Sequence, residues 1–203
     1  MCCQILGDDG TCPNWLCGDP RRRIERIDAI AYLSGALRDR VHRYKYGGKT
    51  GWSLIFGRLV VGWLEAHTAA EPPDLIVANP TFIERDSADV GHVERIIESA
   101  STADAEERWA FDVETPDPAI IKTGPTEKSA GRTAGAKRTS AAALRRLLEI
   151  PDAPATEGRK ILVFDDVCTT GSQLDAVADC LLEEGHASEV RGLVLARAPW
   201  RPR

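Results

Sequence analysis

The sequence predicts an α/β protein in which a parallel sheet is flanked by helices. Short apolar runs typical of buried strands, at 75–78 and 161–164, alternate with longer stretches whose apolar residues recur every three or four positions. Strands that alternate with helices in this way favour a parallel sheet with helices on its faces. The length of 203 residues suits one domain with a small appendage.

The spacing of apolar residues assigns the elements in chain order. Helices are predicted at 24–43, 52–67, 90–103, 139–148 and 173–184. Strands are predicted at 75–78, 109–113, 119–122, 161–164 and 190–196. The pair Gly47-Gly48 ends the first helix, and Gly185 caps the last one. Residues 123–137 contain three glycines and no large aliphatic side chain, which indicates a mobile loop.

The composition excludes several classes of protein. The net charge of −5 argues against a protein that holds nucleic acid by bulk charge, although a local basic patch stays compatible with such a partner. The most apolar stretch, 52–64, contains Arg58 and is too short to span a bilayer. The first residues lack a charged segment followed by an apolar one, so we expect no signal peptide, no membrane partner and a cytoplasmic location. A homo-oligomer is compatible with the sequence.

Charge is unevenly distributed along the chain. Residues 83–118 contain eleven acidic and three basic side chains, whereas residues 122–146 contain seven basic side chains and a single acid, Glu127. Solvated faces of opposite sign would explain such runs. The basic run gains a functional meaning if an anion-binding site lies beside it.

The segment 161–173 carries the strongest chemical signal. A buried strand delivers two adjacent carboxylates, Asp165 and Asp166, to its carboxyl end, where ligands bind in open α/β sheets. A turn of small hydroxylated residues and one glycine then leads into a helix, whose amino end favours an anion. Carboxylates suit sugar hydroxyls or a metal ion, so the pattern predicts a phosphate beside a vicinal diol, as in ribose 5-phosphate. A turn without a ligand would explain the hydroxylated residues but not the paired aspartates.

This segment resembles the phosphoribosyl pyrophosphate (PRPP) signature of the type I phosphoribosyltransferases: four apolar residues, two acids, then Val-x-Thr-Thr-Gly-Ser. The resemblance implies that family's fold, a parallel sheet of about five strands with helices on both faces. It also implies that the two aspartates bind the ribose 2- and 3-hydroxyls, that 169–173 cradles the 5-phosphate, and that Mg²⁺ accompanies PRPP. The implied PRPP-binding residues are Asp165, Asp166, Val167, Cys168, Thr169, Thr170, Gly171, Ser172 and Gln173. Gln173 departs from the threonine that is usual in the family.

The order of three features resembles the ComF-type branch of that family. A cysteine cluster in residues 2–17, a Lys-Tyr-Gly-Gly element at 45–48 and the PRPP signature follow one another along almost the whole chain. The resemblance implies a cysteine knuckle and helical hood over 1–72, which supplies the acceptor pocket, and a phosphoribosyltransferase core over 73–203. The Arg-Gly-Phe-Asn-Gln element of the family is absent, and residues 88–92 stand in its place.

The same resemblance implies two further anion-binding segments. The loop after the first core strand would bind pyrophosphate through Pro80, Thr81 and Arg85, although Arg85 also fits a plain surface arginine. The stretch 123–138 would close over the transition state and neutralise the leaving pyrophosphate. Its basic residues are Lys128, Arg132, Lys137 and Arg138.

Four of the six cysteines fall within a loop-forming segment that we call the cysteine knuckle (residues 2–17). In a cytoplasmic protein they favour a metal or reactive role over disulfides. Cys2, Cys3, Cys12 and Cys17 are candidate thiolate ligands of Zn²⁺. Adjacent Cys2 and Cys3 do not easily bind the same tetrahedral ion. A site of three cysteines completed by another residue is therefore one alternative, and free thiols are the other.

The resemblance implies an enzyme of the glycosyltransferase class, a phosphoribosyltransferase in which a nitrogen nucleophile displaces pyrophosphate from C1 of PRPP. Such chemistry depends on positioning and charge stabilisation, so no catalytic side chain is assigned and Cys168 is interpreted as a packing residue. No motif in residues 1–72 identifies the acceptor. The alternative is a non-catalytic PRPP-binding protein, or an accessory protein of DNA uptake in competence, on the same fold. The altered segment 80–92 favours that alternative.

Overall fold

A computed structural model of the chain describes residues 2–7, 9–83, 90–113, 118–126 and 134–199, and for 134–138 the backbone alone. The strands are β1 (Ile27–Tyr32), β2 (Leu75–Ala78), β3 (Ile121–Lys122), β4 (Leu148–Glu149), β5 (Lys160–Cys168) and β6 (Glu189–Arg197). The helices are α1 (Gly35–Tyr46), α2 (Trp52–His67), α3 (His92–Ala103), α4 (Ala134–Arg145) and α5 (Ser172–Glu183).

Within the described residues, four strands form the main sheet in the order β1-β6-β5-β2, and all their pairings are parallel. The predicted α/β class, with a parallel sheet flanked by helices, is confirmed. β3 and β4 form a separate antiparallel pair. The strand expected at 109–113 is reduced, in the described part of the chain, to a parallel bridge between Phe111 and Ile76.

Helices cover both faces of the sheet because side chains alternate along each strand. In β5, Ile161 and Val163 pack in one buried cluster with side chains of α4 and α5. Leu162 and Phe164 pack in a second cluster, where α1, α2 and α3 supply the apolar side chains. These two layers hold β2 and β5 side by side, so the residues that follow both strands lie at the same edge of the sheet.

The helix predicted at 24–43 is wrong over its first half, because Ile27–Tyr32 forms β1 and α1 begins only at Gly35. Ile27 and Ala29 pack on the face that carries α5, whereas Ile30 packs on the opposite face. A strand with apolar side chains on both faces produces spacings that also fit a helix. Its pairing with β6 identifies it as a strand, and a local pattern does not report a partner so distant in sequence.

The predicted helices that correspond to α2, α3 and α5 agree with the structure within two residues, whereas β5 continues four residues past the predicted end at 164 and so contains both aspartates. α2 occupies the predicted residues, and α5 differs by one residue at each end. The helix predicted at 139–148 begins at Ala134, inside the predicted loop, and ends at Arg145 because Leu148–Glu149 pairs with β3. In the part of the chain that the structure describes, no helix is long and apolar enough to cross a membrane. The division of the chain into a hood (1–72) and a core (73–203) stays a prediction. β1 lies before residue 72 and β6 after it, and the two strands pair with each other.

Candidate functional site

The paired aspartates lie near the carboxyl end of β5, in the middle of the sheet. Asp165 is opposite Val194 of β6 in the parallel register. Both side chains are buried, with Asp165 8% and Asp166 2% exposed. A buried carboxylate is unfavourable unless it is paired or hydrogen-bonded, so the partners of these two side chains determine what the site can bind.

Asp166 is held by two nitrogen groups from different helices. Lys45 Nζ of α1 lies 2.8 Å from Asp166 Oδ2, and His92 Nε2 at the start of α3 lies 3.2 Å from the same oxygen. Burial by itself would raise the pKa of Asp166, but the hydrogen bond from His92 and the charge of Lys45 outweigh it and hold the pKa below its usual value. Asp166 is therefore ionised at neutral pH.

Asp165 is in the opposite electrostatic situation. Burial and the neighbouring charge of Asp166 raise its pKa to about 7, although Lys45 and Asn79 act against the shift. Its Oδ1 accepts the backbone N–H of Asp166 at 2.9 Å. At neutral pH the pair thus combines one firmly ionised carboxylate with one that exchanges its proton readily, which suits the binding of hydroxyl groups or of a divalent cation.

The residues after β5 form a tight loop at 169–173 that leads into α5. Gly171 has φ +86°, and a Cβ at this position would lie 2.5 Å from Ile27 Cδ1. Only glycine combines this left-handed backbone with such close packing. Because Gly171 is also the cap of α5, the helix begins without a cap side chain, and its first N–H groups suit an anion. The hydroxyls of Thr170 and Ser172, 2.8 Å apart, are hydrogen-bonded to each other, which leaves one hydroxyl proton for a ligand.

An open cleft of about 450 Å³ lies beside the aspartates and the 169–173 loop. This volume is in the range of ordinary small-ligand sites. The helix α1 forms one wall, with Arg38, His42 and Tyr46. The segment after β2 and Lys122 of β3 contribute to its lining as well. The cleft therefore contains both predicted aspartates, Val167, Thr169 and Gln173, together with cationic and aromatic side chains that local patterns did not assign.

The predicted pyrophosphate loop is engaged by a carboxylate of the chain itself. Pro80 and Thr81 line the cleft, but Thr81 donates its N–H to Glu94 Oε1 at 2.6 Å and its hydroxyl to Glu94 Oε2 at 2.9 Å. Glu94 lies in the first turn of α3. Both donors of Thr81 that an anion would use are thus occupied. The third predicted residue, Arg85, lies outside the described residues.

The predicted mobile loop is only partly described. Lys128 and Arg132 lie outside the described residues. Lys137 and Arg138 belong to the first turns of α4, where the backbone alone is described. Lys122, immediately before this stretch, lines the cleft and donates to Thr126 Oγ1 at 2.7 Å. Burial lowers the pKa of Lys122, whereas the charge of Glu94 acts in the opposite direction.

The cysteine knuckle brings three sulfurs together, and we call Cys2, Cys12 and Cys17 the cysteine cluster. Their Sγ atoms all lie within 4.8 Å of one another, with Cys2 and Cys12 3.7 Å apart. Bonds of about 2.3 Å to a tetrahedral Zn²⁺ would place two sulfurs about 3.8 Å apart, so the donor set fits this ion. Cys3 is exposed and lies outside the cluster. Among the described residues, the cluster includes no fourth side-chain ligand.

A buried arginine borders the cysteine cluster. Arg197, at the end of β6, is fully buried; its Nη2 lies 3.4 Å from Cys2 Sγ, and its Nη1 donates to Cys168 Sγ. Among the described side chains, no carboxylate forms an ion pair with Arg197. Burial would raise the pKa of Cys2, but Asn14 and the charge of Arg197 outweigh it and lower the pKa. Burial raises the pKa of Cys168 to about 12.

Five residues important to this geometry were not assigned to the site by the sequence patterns: Asn14, Lys45, His92, Glu94 and Arg197. Lys45 lies in the 45–48 element, but several cations on α1 and in the turn that follows it have the same local appearance. A lone histidine such as His92 fits a surface residue equally well. Asn14 stands between two cysteines, which is the one local signal that would have drawn attention to it.

Comparisons with known proteins assign no family to the chain. No family model and no curated protein matches the chain. Among solved structures, the allosteric regulatory enzyme of purine biosynthesis has a TM-score of 0.38 and 17% identity over 70% of this chain and 25% of that one. A hypoxanthine phosphoribosyltransferase from Staphylococcus aureus has a TM-score of 0.38 and 10% identity, over 71% of this chain and 62% of that one. An adenine phosphoribosyltransferase from Leishmania tarentolae has a TM-score of 0.38 and 14% identity, over 74% of this chain and 73% of that one. The chain thus matches less than two thirds of the first two proteins.

Proposed function

We propose that the chain is a phosphoribosyltransferase that binds PRPP together with Mg²⁺ and transfers its ribose 5-phosphate to a nitrogen nucleophile. One observation carries the proposal: the buried pair Asp165 and Asp166 opens into the same cleft as Thr169 and Gln173 of the 169–173 loop. A phosphate held by the loop and the start of α5 would place a ribose within reach of the two carboxylates.

In the proposed reaction, the bond between C1 of the ribose and the pyrophosphate oxygen breaks, a bond from C1 to nitrogen forms, and the nitrogen releases its proton. The aspartates would hold the ribose hydroxyls and thereby orient C1, while the 169–173 loop would fix the 5-phosphate. Hard oxygen ligands such as the aspartates and the substrate oxygens suit Mg²⁺, which supplies charge neutralisation for the leaving pyrophosphate. The reaction requires no nucleophilic side chain of the chain itself.

The remaining site assignments are part of the proposal. Lys128, Arg132, Lys137 and Arg138 would neutralise pyrophosphate and exclude water, and Arg85 would assist Pro80 and Thr81. Residues 1–72 would act as the hood that supplies the acceptor pocket, and 73–203 as the core. Arg38, His42 and Tyr46 of α1 line the cleft, which supports a role of residues 1–72 in the acceptor pocket. The acceptor remains a nitrogen compound without a more specific identity.

We further propose Zn²⁺ in the cysteine cluster, a location in the cytoplasm, and membership of the ComF-type branch. The spacing of the three sulfurs supports the metal. Elemental analysis of protein purified without chelator tests it, since a preparation free of zinc would remove the claim. The order of cysteine knuckle, 45–48 element and 169–173 loop supports the branch.

Calorimetry with PRPP and Mg²⁺ tests the ribose assignment. The double variant Asp165→Asn, Asp166→Asn should lose at least tenfold in PRPP affinity, because the amides cannot accept the ribose hydroxyls and the cation as carboxylates do. Asp39→Asn, on the exposed side of α1, is the control and should bind like the unmodified chain. Unchanged PRPP affinity in the double variant would reject the assignment.

A non-catalytic PRPP-binding or DNA-uptake accessory protein is the second candidate. The contact of Glu94 with both donors of Thr81 favours it, because this carboxylate accepts the hydrogen bonds that the predicted loop would donate to pyrophosphate. An assay of pyrophosphate release against a panel of nitrogenous bases, glutamine and ammonia separates the two candidates. Release with any acceptor eliminates the non-catalytic candidate, whereas PRPP binding without release across the panel supports it.

A further inference from the structure

Two buried side chains connect the cysteine cluster to the 169–173 loop. The first is Asn14, which is 4% exposed. Its Nδ2 lies 2.8 Å from the backbone oxygen of Thr170 and 3.2 Å from Cys2 Sγ. One amide group thus donates both to a sulfur of the cluster and to the backbone of the loop. A displacement of Cys2 therefore acts directly on the position of the Thr170 carbonyl.

The second connection is Arg197. Its guanidinium donates to Cys2 Sγ and to Cys168 Sγ, and Cys168 is the residue immediately before the 169–173 loop. Packing adds a third contact, since the position of a Cβ on Gly171 lies 3.2 Å from Cδ2 of Leu16, a buried residue just beyond Asn14. The cysteine knuckle therefore contacts the loop directly at Thr170 and Gly171, and Arg197 connects it to Cys168 just before the loop.

The charge of Arg197 indicates which state of the cluster the fold is built for. A fully buried guanidinium is strongly unfavourable unless a negative charge lies beside it. Among the described residues that charge does not come from a carboxylate, and the sulfurs of Cys2 and Cys168 are its acceptors. Three thiolates around one Zn²⁺ leave one net negative charge, which the single positive charge of Arg197 would neutralise.

We propose that Asn14 and Arg197 are positioning residues that couple metal binding in the cysteine cluster to phosphate binding in the 169–173 loop. The metal-bound cluster fixes Cys2, and Cys2 in turn fixes Asn14 and Arg197, which hold Thr170 and Cys168. Binding at either site then strengthens binding at the other, by the same factor in both directions. The inference rests on the proposed function in one respect, namely that the loop is a phosphate site.

The coupling is measured in both directions on the full chain. Competition with a chromophoric chelator gives the Zn²⁺ affinity with and without saturating ribose 5-phosphate. Calorimetry gives the ribose 5-phosphate affinity of zinc-loaded and chelator-treated protein. We expect both affinities to rise by one common factor, about 5- to 150-fold. Linkage makes the two factors equal, so a factor well above one is the sign of coupling, and a residue with a merely structural role would leave that factor unchanged when it is replaced.

Variants locate the connection. In Asn14→Ala the common factor should fall towards one, while the chain still binds one Zn²⁺. Asp9→Ala is the matched control, because Asp9 lies in the same knuckle and its Oδ1 accepts the N–H and the hydroxyl of Thr11. It should keep the factor of the unmodified chain.

Each outcome has a defined meaning. Equal ribose 5-phosphate affinity with and without zinc, or a chain that takes up no zinc, overturns the coupling. If Asn14→Ala shows the same increase in affinity as the unmodified chain, Asn14 does not connect the two sites. The changes in Zn²⁺ affinity and in ribose 5-phosphate affinity are measured on the unmodified chain. They therefore test the coupling even if Asn14→Ala fails to fold. A chain that binds no ribose 5-phosphate in either state rejects the proposed function instead.

Discussion

At the scale of single residues, Asp165 shows folding and binding in opposition. The buried carboxyl has a pKa of about 7, well above its ordinary value near 3.8. The folded chain therefore binds this proton more tightly than the unfolded chain does. Protonation of Asp165 therefore stabilises the folded chain at low pH, and this stabilisation is lost as the pH rises from about 4 to about 7. The ionised form that a ribose or a cation needs is thus the form that the fold tolerates least.

Asp165→Asn should accordingly stabilise the ligand-free protein at pH 8 relative to the unmodified chain. An amide does not ionise, so the part of the pH dependence that comes from this residue disappears, on the order of 1 kcal/mol per pH unit. Urea unfolding at pH 5, 6, 7 and 8 measures it. Asp39→Asn, on the exposed side of α1, is the matched surface control. Identical slopes in Asp165→Asn and the unmodified chain would contradict the raised pKa.

Glu94 is the second residue at which a single charge matters. Its carboxylate accepts both hydrogen bonds of Thr81 and so competes with any anion for them. Glu94→Gln should therefore increase the affinity for pyrophosphate with Mg²⁺ about tenfold, equivalent to about 1.4 kcal/mol, because the repulsion between two anions is removed. Calorimetry measures this affinity. Glu98→Gln, one turn later on α3, serves as the control. Weaker binding in Glu94→Gln would show instead that Glu94 organises the loop for its ligand.

At the scale of elements, the 169–173 loop depends on Gly171 for two separable reasons. Gly171→Ala would add a Cβ 2.5 Å from Ile27 Cδ1 and would also force alanine into the left-handed region. Gly158 has φ +70° with nothing within 4 Å of its would-be Cβ, so Gly158→Ala carries the backbone strain without the clash. Both variants should lose about 1 kcal/mol of stability from the backbone. Only Gly171→Ala should lose more than that and weaken ribose 5-phosphate binding, measured by calorimetry. Equal behaviour of the two variants would mean that the packing of Gly171 is unimportant.

How well an element could be predicted from sequence depends on where its information lies. The sequence predicts α2 and the 161–164 part of β5, because their apolar patterns are local and because each lies against a continuous apolar layer. β1 was misassigned because both of its faces are apolar and its identity depends on pairing with β6. The same distinction applies to the site. Asp165 and Asp166 are adjacent in sequence, so the sequence alone indicates that they lie together.

The rest of the site depends on contacts between distant residues. Lys45 is 121 residues from Asp166, and Thr170 is 156 residues from Asn14. The arrangement of the two helices that carry Lys45 and His92 decides that they meet at Asp166, and Tyr44 contributes to it by donating to the backbone oxygen of His92 at 2.6 Å. No spacing within a single segment contains that information.

At the scale of the whole molecule, the hood and the core share one structure. β1 pairs with β6 from Ile27 to Tyr32, so removal of residues 1–72 would leave a central strand of the sheet with an open edge. α2 contributes Phe56, Val60 and Leu64 to the buried layer that covers β5. Lys45, a partner of the buried Asp166, would be lost as well.

We therefore expect a fragment of residues 73–203 not to fold by itself. Burial of each large apolar side chain contributes about 1.5–3 kcal/mol, so the loss of several from α2 matches the whole stability of a typical domain, about 5–15 kcal/mol. An uncompensated Asp166 adds a further penalty.

Circular dichroism during urea titration should show a cooperative transition for the full chain and none for the fragment. Addition of residues 1–72 as a separate peptide should restore part of the transition, because it returns β1, Lys45 and α2 together. A fragment that unfolds cooperatively alone and binds ribose 5-phosphate would establish the core as an independent unit, with the hood serving the acceptor only.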